Sequence, residues 1–339
     1  MPSFIGPPVV TPPFMTDDLW RPSAALQTLK QRAVLMASLR QFFAERDVLE
    51  VETPLLARFG VTDPYMDLLT ADNPLLGGQV RGERYYLQSS PEYAMKRLLA
   101  AGSGPIYQIC KAFRAGEQGS RHNPEFSMLE WYRPGFDHHQ LMAEIAELLV
   151  AVLDSPEPKK ISYGELFEQH FSIDPHCAAI ETLELLARQH LDIQMASDNR
   201  DDWLNLLIAE VIEPTLGFDV PTFIYDYPAS QAALAKLSVD QHGCSVAQRF
   251  ELYINGIELA NGYYELTDSA EHERRIQLDQ QQRVTMVRPP MAADEHLLAA
   301  LESGLPDCAG VALGLDRLIM LALGCEHIEQ VLSFSVDRA

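Results

Sequence analysis

An Asn-Gly pair set between two apolar, β-prone runs constrains this chain more tightly than any other feature. Phe250 to Ile254 leads into Asn255-Gly256, and Ile257 to Asn261 leads out. The tightest hairpin turn needs positive φ angles at both central positions, which asparagine and glycine tolerate best. A second strand pair brackets the stretch FRAGEQGSRHNPEFSMLEWY, Phe113 to Tyr132. Ile106 to Phe113 is a mostly apolar run, and Glu125 to Tyr132 is rich in Phe, Met, Leu, Trp and Tyr although it alternates less cleanly. Between them, Ala115 to Pro124 carries Gly116, Gly119, Asn123 and Pro124, which suit a wide loop. At the rim of that loop stands Arg114, whose fixed fork of donors matches phosphate oxygens better than a lysine does.

Helical and strand patterns fill the rest. Leu26, Leu29, Met36, Leu39 and Phe43 recur near helical spacing, which predicts a helix from a Ser23 cap to Arg46. A short strand, Val48 to Glu52, follows and stops at Thr53-Pro54. Val61 to Gly82 reads as a loop or short hairpin, and Tyr85 to Leu87 as a strand. Ser90-Pro91-Glu92 offers a cap, a first-turn proline and an acid near the helix dipole, opening a helix to Ala101. Asp137 to Leu153 is a further helix, with Leu141, Ile145, Leu148, Leu149 and Val152 on one stripe. Residues 155 to about 218 read as a helical insertion between two halves of a sheet domain. Thr222 to Tyr225 returns to strand, Glu271 to Val284 to a polar helix, and Val311 to Leu313 to a strand. Gly314 then opens a helix, Leu315 to Leu323, and Val331 to Phe334 is predicted as a last strand.

Composition narrows the function classes. With 339 residues, 47% of them hydrophobic, the chain can bury a sizeable core. No stretch approaches the roughly 20 uninterrupted apolar residues of a membrane helix. The opening MPSFIGPPVVTPPFM has neither a basic start nor a continuous apolar core, and residues 1–21 are expected to be a flexible, proline-rich arm ahead of one catalytic domain, 22–339. Five widely spaced cysteines without a C-x-x-C pair point to reduced thiols in a cytoplasm and away from structural zinc. A formal net charge of −22, with no dense basic run, argues against nucleic acid as the main partner.

Three segments could carry chemistry. In GIELANGYYELTD, Glu258 and Glu265 bracket a strand and suit Mg²⁺ held jointly with phosphates, or are two solvated acids on an edge. In GVALGLDRL, Gly314 lets a flat ligand approach the backbone, and Arg317 can reach a phosphate or close a helix-start salt bridge. The anchor loop adds Arg114. Two arginines with acids between them in sequence describe a site for ATP and departing pyrophosphate.

Taken together, these segments resemble class II aminoacyl-tRNA synthetases: the helix and strand ending at Pro54 look like motif 1, FRAGE to Tyr132 like motif 2, and GVALGLDRL like motif 3. RHNPEF, SPEYAMKRLL and GIELANGYYELTD are similar to the lysyl-tRNA synthetases. MLEWYRP, PASQAAL and FSVDRA are more similar still to the shortened members of that branch, which attach (R)-β-lysine to elongation factor P. The resemblance covers Ser23 to Ala339. It implies an α+β fold, a six-stranded antiparallel sheet flanked by helices, and a homodimer formed through motif 1. It also implies two steps, in which an amino acid carboxylate attacks the α-phosphorus of ATP and a lysine amine of the acceptor protein then takes the acyl group.

Carried over by motif, Arg114 and Arg317 clamp phosphates as the catalytic pair. Ala115, Gly116, Glu117, Asn123, Glu258, Leu259 and Gly314 line the ATP site, and Glu258 and Glu265 hold Mg²⁺. Ser90, Pro91, Glu92, Tyr132, Glu265 and Ala312 line the amino acid pocket, Glu92 and Glu265 being suited to ammonium groups. Two positions depart from the pattern. Motif 2 commonly reads Arg-x-Glu, but here Gly116 stands third and Glu117 fourth; and Ala312 replaces a usual glycine, its methyl suited to excluding one amino acid isomer. A lysyl-tRNA synthetase charging tRNA and a non-catalytic regulatory paralogue are the alternatives. The short N-terminal segment, with no room for an anticodon domain, speaks against the first. Joint retention of Arg114, Glu258, Glu265 and Arg317 speaks against the second.

Overall fold

The computed structural model describes residues 20–72 and 84–339; most of the expected arm and the second half of the Val61 to Gly82 stretch lie outside them. Helix α1 spans Leu26–Ala44 and buries Leu39, Phe42 and Phe43. It starts later than its sequence predicts, because the Ser23 hydroxyl sits 3.3 Å from that of Ser335 and its backbone N–H reaches the Ser333 carbonyl. Ser23 therefore ties the two ends of the domain together and caps nothing. Strand β1 (Leu49–Glu50) follows, then the short strands β2 (Leu56–Ala57), β3 (Thr70–Asp72) and β4 (Arg84–Leu87), which pair in the order β2-β4-β3. Helix α2 (Glu92–Ala100) leads to β5 (Ile106–Phe113) and β6 (Glu125–Pro134).

Helix α3 (His138–Leu153) opens with a capping box in which Asp137 accepts from the Gln140 N–H, and the Gln140 side chain accepts from the Asp137 N–H. Strand β7 (Lys159–Ser162) precedes α4 (Tyr163–Phe171), α5 (Ile180–His190) and α6 (Arg200–Leu207). These helices bury Phe167, Leu183, Trp203 and Leu207 against Ile224 and Tyr253 of the sheet. The chain continues through β8 (Thr222–Pro228), β9 (Leu237–Val239), β10 (Ser245–Ile254) and β11 (Ile257–Tyr264). It then runs through α7 (Ser269–Thr285), α8 (Glu295–Gly304), β12 (Cys308–Gly314) and α9 (Leu315–Leu323). The Asn255-Gly256 hairpin forms between β10 and β11, with φ of +52° and +65° at the two turn residues.

The large sheet runs β1-β5-β6-β12-β11-β10-β8-β7, with β9 alongside β10. Its six central strands, β5 to β8 in that order, are all antiparallel; only β1 and β7, at the two ends, pair in parallel. Alternation along each strand gives this sheet two unlike faces. One face, carrying Leu129, Trp131, Val311, Leu313, Leu252 and Phe250, packs on α1, α3 and α9 as the main core. Phe43 of α1 stacks on Tyr107 at 4.3 Å between ring centres and meets Trp131 edge-on at 5.4 Å. The other face carries polar groups that are themselves covered, which is why β6 shows no clean apolar–polar alternation.

The predicted last strand does not form. Ile328–Val331 is a 3₁₀ turn, and beyond it the carbonyls of Leu332 and Ser333 accept from Ala24 and Ser23, so the segment pairs with the entry to α1 and joins no sheet. Strands β7 and β9 and helix α8 have no counterpart in the sequence reading. Among the described residues no helix is long and apolar enough to cross a membrane.

Asp316, at the start of α9, is almost fully buried; it accepts from the Ser127 N–H at 2.6 Å and pairs with Arg32 of α1 at 2.6 Å. It thus joins α1, β6 and α9, and removing it leaves the Arg32 charge and a strand N–H unpaired. Asp316→Ala is expected to cost about 3–5 kcal/mol, read from the urea unfolding midpoint; a change below about 1 kcal/mol would show that the pair behaves as a surface contact.

Candidate active site

The polar face of the sheet is the floor of a cleft of about 1400 Å³. Its side chains stand in rows fixed by strand register. One row crosses the strands as Gln108, Glu130, Ala312, Asn261 and Glu251; the next as Tyr132, Gly310, Tyr263 and Arg249. Glu258 joins them through an irregularity. Leu252 pairs with Ala260 but Tyr253 pairs with Glu258, so Leu259 is an extra, bulged residue. Without the bulge Glu258 would share the face of Ala260 and point into the core. With it, Glu258 lies on the side of Tyr253 and Glu251.

At this end of the cleft, buried Glu251 accepts from the hydroxyls of Tyr227 (2.7 Å) and Tyr253 (2.6 Å) and from Asn261 (2.9 Å), and it pairs with Arg249. Loss of solvent and the nearby Glu251 charge raise Glu258 above the usual carboxylate range, while Arg317, Arg249 and Arg114 act to lower it. Arg317 is held in place: it donates to the Glu258 carbonyl at 2.7 Å and to Nε2 of His122 at 2.6 Å. Burial and the Arg317 charge both lower His122, which keeps its ring neutral and able to accept. Arg114 lies 3.7 Å from Glu117 with its guanidinium 5.3 Å from the centre of the Phe126 ring, and its buried Nε has no acceptor among the described residues. An unpaired buried donor on a cation is suited to an incoming anion.

At the other end, Ser90 and Pro91 lead into α2, which projects Glu92 and Lys96 over the floor. Lys96 is fully buried, and its ammonium pairs with Glu92 and with Glu265 at 2.6 Å each. Burial alone would push Lys96 down, but the two carboxylates together outweigh it and hold the ammonium above the usual lysine range. Glu130 accepts from the Ser90 hydroxyl at 2.7 Å and the Tyr132 hydroxyl at 2.7 Å. Burial, reinforced by Glu92, pushes Glu130 up to about 8. Burial likewise raises Glu265, with Lys96 opposing. Tyr132 and Glu265 can reach the floor here only because residue 310 is glycine: a Cβ at that position would overlap the Tyr132 ring and the Glu265 carboxylate.

Glu258 lies on β11 and Glu265 just beyond its end, where it pairs with Lys96 at 2.6 Å. The acid that shares the surroundings of Glu258 is Glu251, both of whose oxygens are engaged by Arg249, Asn261 and the two tyrosine hydroxyls. Among the described residues no cluster of three or more acids, histidines or cysteines has metal-binding geometry. Ala312 puts its methyl on the floor between Glu130 and Asn261, and Gly314 caps α9 beside Arg317. Asn123 has both amide atoms engaged, donating to the Glu125 carbonyl at 2.6 Å and accepting from the Val336 N–H at 3.0 Å. Ala115 donates its N–H to Asp67, and Gly116 turns the loop at φ +78°.

Lys96, Glu130, Arg249 and Glu251 are absent from the sequence reading. Two carried a signal: Lys96 stands four residues after Glu92 on a helix, and Glu130 is an acid inside the apolar run MLEWY. Glu251 was hidden by the bulge, since regular pairing from the Asn-Gly turn sets it opposite Ala260.

Comparison with known proteins agrees with this geometry. The family model described as tRNA synthetases class II (D, K and N) matches residues 16–338. A protein of Pseudoalteromonas translucida named elongation factor P–(R)-beta-lysine ligase is 50% identical over 328 residues, 96% of this chain and 100% of the relative. A protein of the same name from Salmonella arizonae is 48% identical over 324 residues, 94% of this chain and 98% of the relative.

Gly310→Ala drives a methyl into the Tyr132 ring and the Glu265 carboxylate. It is expected to destabilise the protein by about 1–3 kcal/mol, measured by chemical denaturation. An unchanged midpoint would show that the pocket wall yields freely.

Proposed function

The chain belongs to the class II tRNA synthetases of the D, K and N group and, within it, to the elongation factor P–(R)-β-lysine ligases, and we propose that it activates (R)-β-lysine with ATP and passes it to a lysine amine of elongation factor P. The observation that carries the reading is the charge count at the α2 end of the cleft. The pocket holds three carboxylates, Glu92, Glu130 and Glu265, and one ammonium, that of Lys96, which pairs with Glu92 and Glu265. The fully ionised set has two negative charges in excess, which matches an amino acid bearing two ammonium groups.

A lysine isomer held there by Glu92, Glu130 and Glu265 directs its carboxylate toward the arginine end. Arg114 and Arg317 receive ATP phosphates, with Gly314, Leu259 and the Ala115 to Glu117 turn around the nucleotide. Arg317 is preorganised by Glu258 and His122, so it stabilises charge on the reacting phosphorus without reorganising during the step. A substrate carboxylate oxygen bonds to the α-phosphorus and pyrophosphate leaves. The acceptor amine then bonds to the acyl carbon, AMP leaves, and the amine proton is lost to solvent. No side-chain nucleophile is required. Glu258 would hold Mg²⁺ together with the phosphates, Glu265 being the second acid carried over by motif, and the ion would offset phosphate charge when bound. Asn123, with both amide atoms bonded to backbone, would shape the loop around ATP from behind. The methyl of Ala312 narrows the floor beside Glu130, where isomers with differently placed amines diverge.

Residues 22–339 act as one catalytic unit in this reading, with about 155–218 as its insertion. Exposed Leu26, Val34 and Leu49, on α1 and the edge strand β1, supply apolar surface for a homodimer through the motif 1 segment. The free cysteines accord with a cytoplasmic enzyme, and the net charge of −22 disfavours tRNA as acceptor. With ATP, Mg²⁺ and (R)-β-lysine, elongation factor P is expected to gain one β-lysyl mass at a single lysine, while tRNA stays uncharged. Unmodified elongation factor P beside efficiently aminoacylated tRNA would replace this reading with that of a tRNA synthetase.

A further inference from the structure

Glu130 differs from the other two acids of the pocket in having no cation against it among the described residues. The buried Lys96 ammonium contacts Glu92 and Glu265, whereas among the described residues both oxygens of Glu130 meet only the hydroxyls of Ser90 and Tyr132. Among the described residues, those around Glu130 are Glu92 and Lys96 from α2, Glu265 beyond β11, Tyr132 from β6, Gln108 and the Cys110 thiol from β5, and uncharged Gly310 and Ala312 from β12. Lys96 is the positive charge in that set, and it is already shared by Glu92 and Glu265. A carboxylate that is 1% exposed and has no counter-ion is costlier charged than neutral.

We propose that amino acid binding is proton-linked through Glu130: the free pocket holds it as a neutral acid, and the second ammonium group of the substrate displaces its proton to solvent. The inference rests on the reading of the substrate as a diammonium amino acid. No substrate bond changes in this step; the pocket loses one proton, gains the dication, and moves from one excess negative charge to two. Lys96 sets that starting point by cancelling one of the two charges on Glu92 and Glu265. An amino acid with a single ammonium group finds its partner without ionising Glu130. The proton is thus a discriminating element, and Glu130 a specificity-determining residue.

The sign of the pH dependence follows. Glu130 is lifted to about 8 in the free protein, so below that pH each binding event must expel a proton. Affinity for (R)-β-lysine should rise about tenfold per pH unit from pH 6 to 7.5 and level off above 8. Titration calorimetry of the full chain with (R)-β-lysine at pH 7, in phosphate and in Tris buffer, reads the released proton directly as a buffer-dependent enthalpy. About one proton per site is expected from wild type, and one fewer from Glu130→Gln. That variant mimics the neutral acid and should keep the wild-type urea midpoint at pH 7. Binding with no buffer dependence in wild type overturns the proposal, as does undiminished proton release from a folded Glu130→Gln protein, which would assign the proton to Glu265. The wild-type result stands even if the variant does not fold. Absence of binding by both (R)-β-lysine and α-lysine would instead overturn the functional reading, and the proposal with it.

Discussion

The Lys96 ammonium, closed off from water between Glu92 and Glu265, is the interaction on which the amino acid end of the cleft depends. Its physical character is unusual for a stabilising contact. Taking three charges out of water costs several kcal/mol per ion, and their mutual attraction repays this only when the geometry is tight. Helix α2 supplies that geometry, with Met95 and Leu99 packed against Leu297 and Leu301 of α8 in a small core of their own. Glu265 arrives from the far side, just beyond β11, and is held by its backbone N–H to the Cys308 carbonyl. Two separate parts of the chain thus converge on one lysine, and the pocket exists only when both are in place.

The two ends of the cleft divide the chemistry by charge. The α2 end has an excess of acids over cations and suits ammonium groups. The other end gathers Arg114, Arg317 and Arg249 about Glu251 and Glu258, and suits phosphates together with a divalent ion. Between them the floor narrows to Gly310, Ala312 and Asn261, small enough for a substrate to lie along the sheet. A single antiparallel sheet carries both ends because its polar face is continuous from β5 to β10. The bulge at Leu259 keeps it continuous by turning Glu258 out of the core.

Much of this architecture was legible in the sequence, for reasons that can be named. The Asn255-Gly256 turn, the run Ile106 to Phe113 and the α3 stripe each combine local propensity with the pattern that tertiary packing also requires, so they form where expected. The failures lie where tertiary contacts override local signals. Ser23 looked like a helix cap but is used to join the chain ends, and Val331 to Phe334 looked like a strand but gives its carbonyls to the Ser23-Ala24 loop and the Arg32 side chain. The site was legible in its outline through Arg114, Arg317, Glu92 and Glu265. Its assembly was not, because a one-residue bulge decides which acid meets Glu258, and no local propensity marks Leu259 as the extra residue. Glu130 and Lys96 were missed for a related reason: charges inside apolar segments reveal their purpose only when their partners are seen.

The central claim is that the pocket is built for a substrate with two ammonium groups. ATP–pyrophosphate exchange tests it most directly when (R)-β-lysine is compared, under identical conditions, with α-lysine and with 3-aminohexanoate, which lacks the terminal amine. Exchange is expected to be fastest with (R)-β-lysine and slower by on the order of 10⁴ with the analogue, since its methyl end offers no donor to the polar groups that line the pocket. Comparable exchange with 3-aminohexanoate would contradict a pocket organised around two ammonium groups.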